Sequence, residues 1–313
     1  MTGPARVVAV DVGGTSMRAS VVDDTGRSGA VQTRLTPVAD GPDAVVDAVL
    51  DLATTAAAAN PGVAAVGLVV PGIVDTEAGV AVNAENLGWR DVPFRQMLSD
   101  RVGLPVGFEH DVRGAGRLER RWGAAAGPGD VLFAPVGTGI AGTIWHEGRL
   151  LRGGYVGEIG HIDIGTGERC ACGSIGCVET VATAAAAVRR YRRRTGIHLP
   201  GAADVLIRAR RGDADAAAVW AETVDGLAAA LIAYVTILAP ERIVIGGGLS
   251  EAGDALFTPL RERLFERLAW RRPPELVPGA FRSHAGRFGA AMTGFDAAGI
   301  PAHFTPTGED PRV

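Results

Sequence analysis

Three cysteines fall within eight residues, in the run Cys170-Ala171-Cys172-Gly173-Ser174-Ile175-Gly176-Cys177, and His161 stands nine residues before the first of them. Three thiolates and one imidazole are the donor set of a closed, tetrahedral zinc site of the structural kind. A CxC redox pair would leave Cys177 and His161 without a role, and inert buried thiols would not cluster in this way. Gly165, Gly167, Gly173 and Gly176 let such a loop wrap an ion. His161 has two ring nitrogens, so one could bind metal while the other reaches a ligand, with the metal fixing the tautomer.

Glycine and threonine cluster in two further places. Asp11-Val12-Gly13-Gly14-Thr15 and Gly137-Thr138-Gly139 each follow an apolar run, and Gly246-Gly247-Gly248 follows a third. Turns without Cβ atoms let backbone N–H groups approach a phosphate, the Thr15 hydroxyl can add a donor, and Asp11 could hold Mg²⁺ or its waters. Each turn alone fits an ordinary hairpin equally well; together they could grip one set of nucleotide phosphates. The 31 basic residues are all arginine, because the sequence contains no lysine. Schiff-base chemistry and the Walker A loop, which need that lysine, are thereby excluded. A phosphate site here rests on backbone N–H groups, arginine or a metal.

Glu109-His110-Asp111 lies between an apolar segment and a helix start. Asp111 could simply cap that helix; the sharper reading makes it a general base at a domain junction.

The elements that must position these groups alternate between strand and helix. Arg6–Val12 with Met17–Val22, and Val131–Val136 with Gly142–Trp145, read as hairpins around the two Gly/Thr turns. Val63–Val70 reads as a buried strand and Arg242–Ile245 as a short one. Helices are expected over Pro42–Ala59, Arg113–Trp122, Glu179–Arg194, Ala216–Leu238, Asp254–Leu268 and Ser283–Ala297. In the longest, Trp220, Val224, Leu227, Leu231, Tyr234 and Leu238 form a stripe for a core or a dimer face. The two hairpins share one plan, which suggests a duplicated α/β unit and a ligand cleft between the copies.

Composition sets the boundaries of this reading. The chain has 313 residues, 47% of them hydrophobic, and a formal charge of -4, so it can bury a large core and offers no net positive field to nucleic acid. Three cysteines make no disulfide framework, no signal-like segment opens the chain, and Leu227–Leu238 reads as too short to span a bilayer. The expectation is a cytoplasmic protein with no membrane or nucleic-acid partner. Residues 301–313 are expected to fray.

From Asp11 to about Ala291, these motifs together resemble the ROK family of sugar kinases and repressors, within the actin/hexokinase-like superfamily. The segment from Glu158 through His161 and CxCGxxGCxE to Glu179 resembles the family signature most closely. The resemblance implies a two-lobed actin-like ATPase (ribonuclease H-like) α/β fold with duplicated domains. The small lobe would be 1–112 plus 283–313, and the large lobe 113–282. It implies ATP at Asp11, Gly13, Gly14, Thr15, Gly137, Thr138 and Gly139, with the adenosine near Gly247 and Gly248. A hexose, most simply glucose, would meet Asn86, His110, Glu158, His161 and Glu179. Asp111 would act as base on its 6-hydroxyl toward Mg-ATP, while Zn²⁺ on His161, Cys170, Cys172 and Cys177 would be scaffolding. The family usually has Asn where this chain has His110, which opens an N-acetylmannosamine or N-acetylglucosamine specificity. A homodimer or homotetramer is expected. A non-catalytic sugar-sensing regulator is the rival, disfavoured by the ten residues ahead of Asp11, too few for a helix-turn-helix.

Overall fold

In the computed structural model, which describes residues 3–306, the chain divides into two compact units. One runs to Ala126 and resumes at His284; the other is Gly127–Ser283. In the first, the pleat of β1 (Arg6–Val12), an apolar run buried on both faces, and of β2 (Ser16–Asp23) puts Val8, Val10, Val12, Met17 and Ala19 on one face, against Val45 and Val49 of α1 (Pro42–Ala58). β2 pairs antiparallel with β1 and with β3 (Gln32–Leu35). β4 (Ala65–Val70), buried at every residue, is parallel to β1 and to β8 (Val106–His110). The sheet order is β3-β2-β1-β4-β8. Between β4 and β8 lie a small antiparallel sheet, β5 (Ile73–Asp75), β6 (Val80–Ala84) and β7 (Trp89–Val92), and α2 (Phe94–Val102). The sequence reading missed these elements because they are short and carry no long period.

α3 (Asp111–Trp122) and the C-terminal helix α9 (Ala285–Ala298) pack together on the sheet's other face. Glycines make that approach close: a Cβ on Gly67 of β4 would run into the α9 backbone at Ala290 and Gly294. Because α3 is held by α9, the division falls after Ala126, not after residue 112 as the sequence suggested. Residues 301–306 are also ordered against this unit. Phe304 is 1% exposed beside Trp122, and the His303 N–H donates to Asp24 O at 2.8 Å. The expected fraying is therefore wrong for these residues, and the rest of that segment lies outside the described residues.

The second unit repeats the plan. β9 (Val131–Pro135) pairs antiparallel with β10 (Thr143–His146), which pairs with β11 (Arg149–Leu150); β12 (Arg242–Gly246) is parallel to β9 and to β13 (Glu275–Pro278). The order β11-β10-β9-β12-β13 matches the first sheet strand for strand in direction. The expected helix Glu179–Arg194 is two helices, α4 (Glu179–Ala182) and α5 (Ala184–Thr195). They break at Thr183, whose extended backbone lets its hydroxyl accept from Ala186 N and cap α5. α6 (Ala202–Arg210), α7 (Ala214–Leu238) and α8 (Asp254–Arg267) complete the unit. In α7, Trp220, Val224, Leu227, Leu231 and Tyr234 are buried in this unit's own core. At 25 residues, α7 is long and apolar enough to cross a membrane by length and composition, contrary to the shorter stretch read from the sequence. Half of its most apolar window is buried inside the protein.

Candidate active site and metal loop

The first unit gathers its predicted residues at the C-terminal ends of β1 and β8. Gly13 N–H donates to Ser16 O at 3.0 Å, closing the β1–β2 turn, and Thr36 Oγ1 donates to Gly13 O at 2.7 Å behind it. Asn86 lies over this turn: a methyl on Gly14 would sit 2.8 Å from Asn86 Nδ2. Thr15 is exposed at the tip. Asp11 sits just below, and removal from water, reinforced by the charge of Asp111, raises its pKa to about 6 against the opposing effects of Arg18 and Arg287. Asp11 therefore lies within reach of the Asp111 charge, and a divalent cation there would favour the ionised form of Asp11.

Asp111 is not the N-cap of α3. His110 holds that position, and Asp111, at the first helical position, accepts from Val112 N–H through Oδ1 at 2.7 Å. His110 Nδ1 lies 3.3 Å from the same oxygen, is buried, and makes no hydrogen bond with any described residue. Behind this pair stands Glu109, 2% exposed. Its Oε1 accepts from the His110 N–H at 2.9 Å, Thr76 Oγ1 at 2.8 Å and Arg113 Nε at 2.9 Å. Burial alone would raise its pKa, but Arg113, the His110 N–H and Thr76 together hold the carboxyl below the ordinary glutamate value. The network continues through Arg117 to Asp296 of α9 at 2.7 Å. From the sequence, Glu109 stands only as the first residue of the Glu109-His110-Asp111 run, with no role of its own. The usable signal was an ionisable residue at the end of a buried strand with an arginine four positions on.

In the second unit the turn at Gly137, Thr138 and Gly139 ends β9. Glu179 of α4 holds it, accepting from Ile140 N–H at 2.6 Å, and Glu179 Oε1 would lie 2.9 Å from a methyl on Gly139 and 2.7 Å from one on Gly160. Gly247, with φ +74°, leads into a 3₁₀ turn beginning at Gly248. A Cβ on Gly247 would strike the Val136 backbone, so Gly247 packs directly beside the Gly137–Gly139 turn, while a Cβ on Gly248 would meet open space. Glu158 and His161 lie on the adjoining segment, Nε2 of His161 being 3.9 Å from Glu158 Oε2.

The other imidazole nitrogen faces the thiols. His161 Nδ1 is 4.0 Å from Cys170 Sγ, Cys172 Sγ is 3.7 Å from Cys177 Sγ, and the four ligand atoms lie within 4.8 Å of one another. Sulfurs bound tetrahedrally to zinc at about 2.3 Å stand roughly 3.8 Å apart, so the donor set fits that ion. The Ser174 N–H lowers the Cys172 pKa to about 7, while burial pushes Cys177 up to about 12. A cation would remove the second penalty. Glu168, in the loop, is tied to α5 by Arg190 at 3.4 Å and Arg193 at 2.7 Å.

The sequence model of the ROK family matches residues 7–294. The chain is 33% identical over 307 residues to the glucokinase of Thermotoga maritima, covering 91% of this chain and 96% of that protein. The ROK family glucokinase of Streptomyces griseus, solved with glucose and AMPPNP, is 32% identical with a TM-score of 0.81, covering 93% of this chain and 100% of that one. The DNA-binding transcriptional repressor Mlc of Escherichia coli is 28% identical over 213 residues, covering 64% of this chain and 52% of the repressor. The fold is the two-domain actin-like ATPase fold. The chain belongs to the ROK family.

Proposed function

We propose that this chain is an ATP-dependent hexose kinase, moving the γ-phosphoryl group of Mg-ATP to the 6-hydroxyl of a hexose, with glucose the first candidate. The observation that carries the reading is Asp111. Its carboxylate stands at a strand end, shares a neighbourhood with Asp11 beside the Gly13-Gly14-Thr15 turn, and has Asn86 over that turn. A carboxylate base, backbone donors for phosphate and an amide for sugar hydroxyls then lie in one region. The glucokinase relatives support the same chemistry.

In this reading Asp111 accepts the 6-hydroxyl proton as that oxygen bonds to the γ-phosphorus and the bond to the β-phosphate oxygen breaks, leaving ADP. Little covalent help is required; positioning and charge neutralisation carry the rate. Asp11 would hold Mg²⁺ or its waters, and the ion supplies positive charge to the donor's phosphate oxygens. The turns at Gly13–Thr15 and Gly137–Gly139 contribute backbone donors, and Gly247 and Gly248 accommodate the nucleoside. Asn86, His110, Glu158, His161 and Glu179 read the sugar. His161, Cys170, Cys172 and Cys177 would hold zinc with no open position, so that ion ties the loop rather than meeting substrate.

Purified protein assayed for ADP release on glucose, mannose, fructose, N-acetylglucosamine and N-acetylmannosamine tests the activity. Asp111→Ala should lower turnover about 10²–10⁴-fold while changing hexose affinity far less. Wild-type turnover in that variant would remove Asp111 as base. A second specificity, for N-acetylhexosamines, is favoured by His110, whose ring offers a sugar hydroxyl a different donor–acceptor pattern from an amide. Sugar binding without ADP release would mark a regulator instead.

A further inference from the structure

We propose that Arg18 is a catalytic residue of this phosphoryl transfer, its guanidinium engaging the terminal phosphoryl oxygens of the donor as the bond to the leaving group breaks. The proposal rests on the kinase reading above and extends it to a residue outside the glycine turns.

The placement comes from register. β1 and β2 pair antiparallel with Asp11 directly opposite Arg18 and Val12 opposite Met17, and the Gly13–Gly14–Thr15 turn follows at once. Directly opposed residues of an antiparallel pair share a face, with Cβ atoms about 5 Å apart. Val12 and Met17 point into the core against α1, so Asp11 and Arg18 emerge on the other face, one pair below the turn. Arg18 thus stands beside the carboxylate placed to hold the donor's cation, and that carboxylate feels both Arg18 and Asp111.

Arg18 is also uncommitted. It is exposed, and its side chain forms no hydrogen bond or ion pair with any described residue. The contrast is Arg287, the other arginine whose charge reaches Asp11. It is 5% exposed and hydrogen-bonds Ser20 at 3.2 Å, Ser28, and His284 at 3.5 Å. Arg287 is built into the structure, whereas Arg18 keeps its five N–H donors for a ligand. With no lysine anywhere in the chain, a planar, bidentate guanidinium is the side chain available to match phosphoryl oxygens. Its contribution falls on the charge that shifts as the P–O bond breaks; the proton still goes to Asp111 and the electron pair to ADP.

The test compares wild type with Arg18→Met and Arg18→Lys. Arg18→Met should lower kcat about 10²–10³-fold, the range for removing one preorganised donor, with the hexose KM changed less than about threefold. Arg18→Lys, which keeps the charge but not the fork, should recover only part of the loss. The second measurement is binding. ADP with aluminium fluoride and hexose should bind wild type more tightly than ADP alone, and Arg18→Met should lose that gain while binding ADP nearly as before. A residue that merely offsets Asp11 would not discriminate between those ligands. Wild-type kcat in Arg18→Met, or an undiminished gain from aluminium fluoride, overturns the role of Arg18 and leaves the kinase reading intact. A wild-type protein that turns over no hexose overturns both.

Discussion

The two units carry the same five-stranded sheet with the same strand directions, yet they hold their functional residues by different physics. In the first, Asp111 is fixed by a buried carboxylate: Glu109 binds the His110 N–H, Thr76 and Arg113, and the pair is only 3% and 15% exposed at the Glu109 and Arg113 side chains. In the second, Glu158 and His161 lie on an irregular segment anchored in the core by Ile159 and Val178, Glu179 opens α4, and the largely exposed turn between them gathers three thiols and one imidazole. A general base needs its carboxylate set to a fraction of an ångström, which a strand end and a helix start supply. On the proposed function, a surface that reads sugar hydroxyls would need several side chains from neighbouring segments, which a metal could tie together. The repeated sheet is the common frame, and in each unit the candidate residues lie in what was added to it.

Breaking the second arrangement should have the largest effect. Active protein should contain about one zinc per chain, and stripping it, or Cys172→Ser, should abolish turnover and open residues 163–176 to protease. Amide exchange in α3 should hardly change, because Glu109 and Arg113 do not depend on the ion. An active preparation with far less zinc than that, or loop protection that survives chelation, would end the metal account.

The same contrast explains what could be read in advance. The hairpins, the glycine turns, the repeat and the metal donor set were legible because their signals are local: apolar runs, Gly-Gly-Thr, and three thiols within eight residues. The small sheet from Ile73 to Val92 was not, since its strands are short and its position is set by packing against α1 and α2. The break at Thr183 was hidden because Ala184–Ala187 continues a good helical run; only the extended backbone at Thr183 reveals the cap. The role of Glu109 depends on Thr76, 33 residues away, and no spacing rule joins them. The boundary after Ala126 depends on α9, which the chain supplies last.

Glu109→Gln sharpens the comparison from the first unit. Removing one partner of a buried, hydrogen-bonded charge pair costs about 3–5 kcal/mol, here because Arg113 keeps its charge while the opposing one is gone. The sign with pH follows from the lowered pKa of Glu109. Its stabilisation is present above the ordinary glutamate value and is lost as pH falls through the lower folded value. Melting curves should therefore show the largest gap between variant and wild type near pH 7 and a closing gap in acid. A gap that stays constant down to pH 3 would mean that the carboxylate's charge is not what holds Asp111 in place.

Asp11 should behave in the opposite sense, with the smallest effect on stability. Its pKa is raised to about 6 by burial and by Asp111, so in the folded protein ionisation is penalised. As pH rises from the ordinary aspartate value through about 6, the folded state loses stability relative to the unfolded chain. Asp11 is partly exposed, and solvent screening reduces the loss to on the order of 1–2 kcal/mol. Asp11→Asn should therefore raise the melting temperature at pH 7.5 by roughly 2–6 °C and leave it unchanged at pH 4, while lowering turnover. Magnesium should stabilise wild type more at pH 7.5 than at pH 5, because a divalent cation favours the anion. An Asp11→Asn variant that is less stable than wild type at pH 7.5 would show that this carboxylate is a structural partner, not a strained group kept for a cation.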